Sequence, residues 1–255
     1  MDAARRNGVA ILPVDSEHNA IHQCLHGHDV HDVARLILTA SGGLFRGRSA
    51  SELERVTADE ALRHQTWRMG RKITIDSATV MNKGLEIIEA HFLFDVDYPR
   101  IDVAIHPRSL VHSYVEFCDG ATVAQLGVPD MRVPIALAMA DGERLPGVGP
   151  PLELRGGPAL EFLPVDERRF PAVALAREAG EAGGVRPALL NAANEVAVAA
   201  FLEGECRFDE LVPLVAGAVG AAPTPAHPSL EDIVNADAWA REHVSSVLER
   251  RVAAG

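Results

Sequence analysis

Asn82, Lys83 and Glu86 set an amide, a cation and a carboxylate within one short stretch of chain. Spaced three and four apart on a helix, they project from one side of it. Met81, Leu85, Ile88 and Phe92 form the apolar stripe beside them. Just upstream, Ile73 and Ile75 alternate with Thr74 and Asp76, which predicts a short half-buried strand. Asp76 and Ser77 then offer oxygens to the free N–H groups of a helix start. Such a corner can hold a phosphate through its cation, amide and hydroxyls, and a metal ion through its carboxylate. On spacing alone the plainer meaning is favoured: a solvated helix edge with an ordinary Lys–Glu pair.

Two further clusters supply what that corner lacks. Asp15 and Glu17, in PVDSEHNAI, are two apart, so on an extended segment both carboxylates point the same way. Converging carboxylates repel unless a cation sits between them, an arrangement suited to Mg²⁺ or Mn²⁺. A solvated loop is the commoner meaning of a lone Asp-x-Glu. Ser41-Gly42-Gly43 lets the backbone approach an anion, with the Ser41 hydroxyl as donor, although an isolated triplet of this kind is usually a plain turn. His64 opens RHQTWRMG, where Trp67 and Met69 before Gly70 suggest a flap over a ligand. His64 itself can donate to a phosphate or cap a helix. His22, His26, His28 and His31 lack the spacing of a zinc helix and read as a polar connection.

The elements that must position these residues follow from periodicity. Asp2 to Asn7 reads as a helix ending at Gly8, Val9 to Leu12 and Val33 to Thr39 as strands, and Glu52 to Leu62 as a short helix. Ile101 to Ile105, Ser113 to Phe117 and Ala121 to Leu126 read as strands of an antiparallel meander, followed by a helix over Met131 to Ala140. Residues 141–165 are dense in glycine and proline, which predicts a linker arm. Beyond it Phe170 to Ala182, Arg186 to Glu203, Phe208 to Val219 and Ala236 to Val252 predict a four-helix domain. The expected organisation is therefore α/β. An α+β domain with a mixed sheet at 1–140 carries the site and the flap at 64–70, the arm follows, and an all-α domain spans 166–255.

With 255 residues, 47% hydrophobic and 24% charged, the chain can bury a sizeable core. A formal net charge of -12 argues against a general nucleic-acid binder. Cys24, Cys118 and Cys206 are far apart and form no paired motif, which suits a reducing cytoplasm. No apolar run is long enough to cross a membrane, and the N-terminus lacks a secretory signal.

Taken together, the segments resemble the 1-deoxy-D-xylulose 5-phosphate reductoisomerase family. The resemblance rests on PVDSEHNAI at 13–21, LTASGGLFR at 38–46, MGRKITIDSATVMNKGLE at 69–86, IHPRSLVHS at 105–113, AQLGVPDMRVPIA at 124–136 and ALLNAANEVAVAAF at 188–201. It implies a divalent metal, Mg²⁺ or Mn²⁺ with Co²⁺ as a third candidate, on Asp15, Glu17 and Glu86. It implies phosphosugar contacts from Ser16, Glu17, Ser41, His64, Ser77, Asn82, Lys83 and Glu86, with Glu17, Glu86, His64 and Lys83 closest to the chemistry. Gly70 would meet the NADPH nicotinamide, and the protein would be a cytoplasmic homodimer with no nucleic-acid or membrane partner. The implied reaction isomerises 1-deoxy-D-xylulose 5-phosphate and reduces it to 2-C-methyl-D-erythritol 4-phosphate, in the non-mevalonate route to isoprenoid precursors.

The chain departs from the family pattern at Leu44, at Gln65, Thr66 and Arg68 in the flap, and at Arg108. The family's N-terminal Rossmann-like domain, with its glycine-rich loop, is largely unmatched. A start at a methionine internal to the family's ordinary sequence is the expectation, with weak NADPH binding by the chain as it stands. The competing expectations are a short non-redox paralogue that binds metal and phosphosugar, and a cofactor-free isomerase or aldolase.

Overall fold

In the computed structural model, which describes residues 1–63, 69–222, 225 and 227–254, the chain opens with helix α1 (Asp2–Asn7). Gly8 ends it in the left-handed region, at φ 62. Helix α2 (Ser16–Leu25) follows, then strand β1 (Val33–Ala40) and two single-turn helices, α3 (Ala50–Leu53) and α4 (Ala58–Ala61). Helices α5 (Arg71–Thr79) and α6 (Met81–Phe94) come next, then β2 (Ile101–Ile105), β3 (Val111–Phe117), β4 (Thr122–Leu126) and α7 (Arg132–Met139). A two-residue strand, β5 (Leu163–Pro164), closes the arm. Four helices complete the chain: α8 (Ala172–Ala182), α9 (Arg186–Glu203), α10 (Leu211–Ala221) and α11 (Leu230–Ala254).

Two compact units are built from this order, each discontinuous in sequence. The first comprises residues 1–42 and 89–165, the second 43–88 and 166–255. The first is organised by one five-stranded mixed sheet of order β4-β3-β1-β2-β5. β1 is parallel to β2, with Leu38 opposite Val103, and antiparallel to β3, with Leu36 opposite Val115. Its central place explains why Leu36, Ile37 and Leu38 are all buried: a strand covered on both faces needs a continuous apolar run. Helix α2 packs on β3 and β4, and its Ala20, Ile21 and Cys24 are buried. The meander expectation therefore fails for β2 and β3, because β1 lies between them. The arm gives β5 to the edge of β2, with Leu163 opposite Ile105.

Two other local expectations give way to packing. Val9 to Leu12 is no strand, since no described strand pairs with it, and Val9 and Ile11 stay exposed. A strand without a ladder partner leaves its backbone unsatisfied. The single helix expected from Glu52 to Leu62 is split into α3 and α4, each closed by a capping box from Ser49 and Thr57.

In the second unit α9 is the central helix, packed by α5, α8, α10 and α11. Its Leu189, Leu190, Ala193, Ala197 and Phe201 are buried, and Phe208 stacks edge-on against both Phe45 and Phe201. Gly84 of α6 permits close approach to α8. A β-carbon at that position would stand 2.6 Å from the Cβ of Ala176 and 3.0 Å from the carbonyl oxygen of Ala172. Gly84→Ala is expected to destabilise the protein by about 1–3 kcal/mol, outweighing the better helix propensity of alanine. A lowered midpoint in urea unfolding is the readout.

Burial pushes the Cys24 and Cys206 thiols up to about 11, which makes them inert at neutral pH. Among the described residues no helix is long and apolar enough to cross a membrane.

Candidate metal and phosphosugar site

The sequence-predicted residues fall in both units. Asp15, Ser16, Glu17 and Ser41 belong to the first, and Gly70, Ser77, Asn82, Lys83 and Glu86 to the second. His64 and the flap residues Gln65, Thr66, Trp67 and Arg68 lie outside the described residues.

In the first unit Asp15 is the N-cap of α2, with extended backbone (φ -58, ψ 138), and Ser16 and Glu17 are its first helical residues. Asp15 and Glu17 therefore sit on a helix start, not on the extended segment that their spacing suggested. An acidic first turn complements the positive end of α2. The Ser16 hydroxyl donates to Glu17 Oε2 at 2.5 Å, and Asn19 Nδ2 donates to the carbonyl of Pro13 at 2.9 Å, which fixes the entry to the turn.

Beneath it lies His18, only 1% exposed, with Nδ1 3.8 Å from Asp15 Oδ2 and 3.6 Å from Glu89 Oε2. Ligand atoms of Asp15, His18 and Glu89 all lie within 4.8 Å of one another. Sequence reasoning passed over His18 and Glu89. The available signal was their spacing, three residues from Asp15 and three from Glu86 on their respective helices. Ser41 follows the end of β1, and the glycines after it take left-handed backbone, Gly42 at φ 84 and Gly43 at φ 68.

In the second unit the largest correction concerns residues 73–76, which are helical. α5 runs from Arg71 to Thr79 with Gly70 as its N-cap, so Asp76 and Ser77 lie in its last turns and do not cap a helix start. Two β-branched isoleucines favour a strand locally, but helix α5 gains the Lys72–Asp76 pair, four apart at 2.7 Å, and packing on α9. Gly70 is exposed, and its carbonyl accepts from the Thr74 hydroxyl at 2.8 Å.

The elbow into α6 turns on Val80, a β-branched residue at φ 64. The Thr79 hydroxyl bridges it, donating to the carbonyls of Ile75 and Asp76 and accepting from the Met81 N–H. Gly43 is wedged against the same elbow: a β-carbon there would stand 2.6 Å from the Ser77 carbonyl oxygen. That close approach, with its positive φ, is what the second glycine of Ser41-Gly42-Gly43 provides.

On α6 the predicted trio comes together. Asn82 Nδ2 donates to Glu86 Oε1 at 2.5 Å, and Lys83 Nζ donates to Glu86 Oε2 at 2.6 Å. The solvated edge that spacing alone favoured is ruled out by burial, since Lys83 is 4% exposed and Glu86 1%. A buried ion pair costs more in desolvation than it usually returns in stability, so its presence points to work on a ligand. Asp76 is likewise buried, and burial holds its carboxyl above the usual range against the opposing effects of Lys72 and Asn194.

Compared with known families, residues 11–94 match the 1-deoxy-D-xylulose 5-phosphate reductoisomerase C-terminal domain and residues 126–243 the DXP reductoisomerase C-terminal domain. A 1-deoxy-D-xylulose 5-phosphate reductoisomerase from Pelotomaculum thermopropionicum is 54% identical over 241 residues, which cover 94% of this chain and 62% of that protein. One from Gloeobacter violaceus is 51% identical over 250 residues, 98% of this chain and 64% of the relative. The solved reductoisomerase of Zymomonas mobilis, in complex with NADPH, matches with a TM-score of 0.90 at 44% identity, covering 97% of this chain and 64% of its own. A DOX-P reductoisomerase with NADPH, fosmidomycin and magnesium matches at 0.87 and 40% identity, with 97% and 65% covered. The chain thus spans about 62–64% of the length of these curated relatives.

Proposed function

We propose, on the premise that this chain belongs to the 1-deoxy-D-xylulose 5-phosphate reductoisomerase family, that it binds a divalent cation and 1-deoxy-D-xylulose 5-phosphate. Its role is then in the isomerisation and NADPH-dependent reduction of that sugar phosphate to 2-C-methyl-D-erythritol 4-phosphate. The observation that carries the proposal is the buried Lys83–Glu86 pair, with Asn82 on the same turn of α6.

Asp15, Glu17 and Glu86 are the proposed cation ligands. Three carboxylates are hard oxygen donors, which suit Mg²⁺ or Mn²⁺ and not a thiolate-seeking ion. A bound divalent cation supplies Lewis acidity for rearrangement at a hydroxyketone. Glu86 is one helical turn from Glu89, whose carboxylate faces His18 beside Asp15, so α6 carries acidic groups on successive turns.

The chain's own groups do the positioning. Lys83 offers a strong point charge to the phosphate, and Ser41, Ser77 and Asn82 offer neutral donors beside it. Ser16, next to Glu17 on the first turn of α2, is proposed as a contact for the sugar hydroxyls. His64 is proposed as a further donor to the substrate, and Gly70, exposed and without a side chain, as the contact for the nicotinamide. Magnesium and NADPH are ligands of the solved relatives, and their transfer to this chain is part of the proposal. Homodimeric assembly and a cytoplasmic location rest on the same family resemblance.

Calorimetric titration with Mn²⁺, followed by 1-deoxy-D-xylulose 5-phosphate, tests the core of this. The expected result is one saturable Mn²⁺ site per chain and tighter sugar phosphate binding once it is filled, since coupling between two ligands is reciprocal. No saturable Mn²⁺ binding up to about 1 mM, a free energy near -4 kcal/mol, would overturn it.

A further inference from the structure

We propose that the buried Asp76–Asn194 pair is a positioning device for the phosphate-side residues, which makes phosphosugar affinity depend on α9. The inference rests on the phosphosugar reading of Ser77, Asn82 and Lys83 given above. Asp76 is 1% exposed and Asn194 3%, and Asn194 Nδ2 donates to Asp76 Oδ1 at 2.8 Å across 118 positions of sequence. The other carboxylate oxygen of Asp76 takes Lys72 Nζ at 2.7 Å.

Asp76 immediately precedes Ser77, and the elbow that follows holds Val80 at φ 64. A β-branched residue in that region is strained and persists only where its surroundings over-determine it. The Thr79 hydroxyl and the wedge of Gly43 supply two of the restraints, both within the segment from 43 to 81. Asn194 supplies the third from a distant helix.

α9 is itself braced. Glu195, the next residue, accepts from Arg241 Nη2 of α11 at 2.6 Å and from Asn191 Nδ2 at 3.1 Å. Rotation of α5 about its axis would break the Asp76–Asn194 bond and turn Ser77 with it, since adjacent helical residues move together. A hydrogen bond to a buried carboxylate also costs heavily when its donor is lost. The helical segment that carries no ligand-binding motif thus orients the residues that do.

Asn194→Leu keeps the branched four-atom side chain, at a somewhat larger volume, and removes the donor. Binding of 1-deoxy-D-xylulose 5-phosphate at saturating Mn²⁺, well below each variant's unfolding midpoint, is expected to weaken about tenfold, while Mn²⁺ affinity is unchanged. Asp76→Asn, which still offers Asn194 an acceptor, is expected to stay within about threefold of the parent. A lowered unfolding midpoint with parental sugar affinity in Asn194→Leu would reduce the pair to a structural tie and overturn the inference. Should that variant fail to fold, Asn194→Ser goes through the same comparison. Lys83→Ala separates the two levels. If it too binds the sugar like the parent, the phosphosugar reading itself fails. If it alone weakens binding, only the positioning role falls.

Discussion

Replacing Glu86 by glutamine is expected to lower Mn²⁺ affinity on the order of 100-fold, with the fold retained. Affinity of carboxylate sites for divalent ions falls steeply with the number of charged ligands, and glutamine removes one of the three proposed. The shape of the side chain is kept, but one of its two oxygens becomes an NH2 group, so only one of Asn82 and Lys83 retains its acceptor, now uncharged. Lys83 loses its anion while 4% exposed, which adds a few kcal/mol of instability at most, because an uncompensated buried charge is costly. Circular dichroism and a Mn²⁺ titration read the two effects separately. A folded variant with parental Mn²⁺ affinity would remove Glu86 from the metal set.

Lys83→Ala is expected to act on the other ligand. Loss of one charge-assisted contact to a phosphate corresponds to about 10–100-fold in sugar phosphate affinity. Mn²⁺ affinity should move far less, because the three carboxylates remain. Glu86 keeps its bond from Asn82, so the carboxylate is not left bare. Lys83→Arg is a useful companion: it restores the charge but not the compact ammonium, and partial recovery of binding is the expected result. Equal loss of metal and sugar affinity in Lys83→Ala would mean that the residue serves the fold of α6 and not the phosphate.

Both predictions concern residues whose types and spacing were plain in the chain, yet whose burial was not. Asn82, Lys83 and Glu86 share one side of α6 because helical geometry places positions three and four apart together. Spacing could not tell a solvated edge from a buried pair, since burial depends on what packs over the helix. Strands β1 to β4 and helices α1 and α8 to α11 were legible for the same local reasons: alternation, apolar stripes, Gly204 as a stop and Gly8 as a cap. Their pairing order was not. The place of β1 between β2 and β3 is set by which edges meet in space, and no local pattern carries that.

By itself, then, the sequence determined the inventory of chemistry and the family. Three carboxylates, a lysine, an amide and a set of hydroxyls occur in motifs whose order is specific, and motif identity is a property of the linear chain. Tertiary structure alone decided that residues 73–76 are helical, that Lys83 and Glu86 are buried, and that His18 sits between Asp15 and Glu89. It also decided that Asp76 meets Asn194 across 118 positions. The physical reason is common to all four. Local propensity is worth a fraction of a kcal/mol per residue, whereas packing on a neighbouring helix and the demand that buried polar groups be paired are worth several.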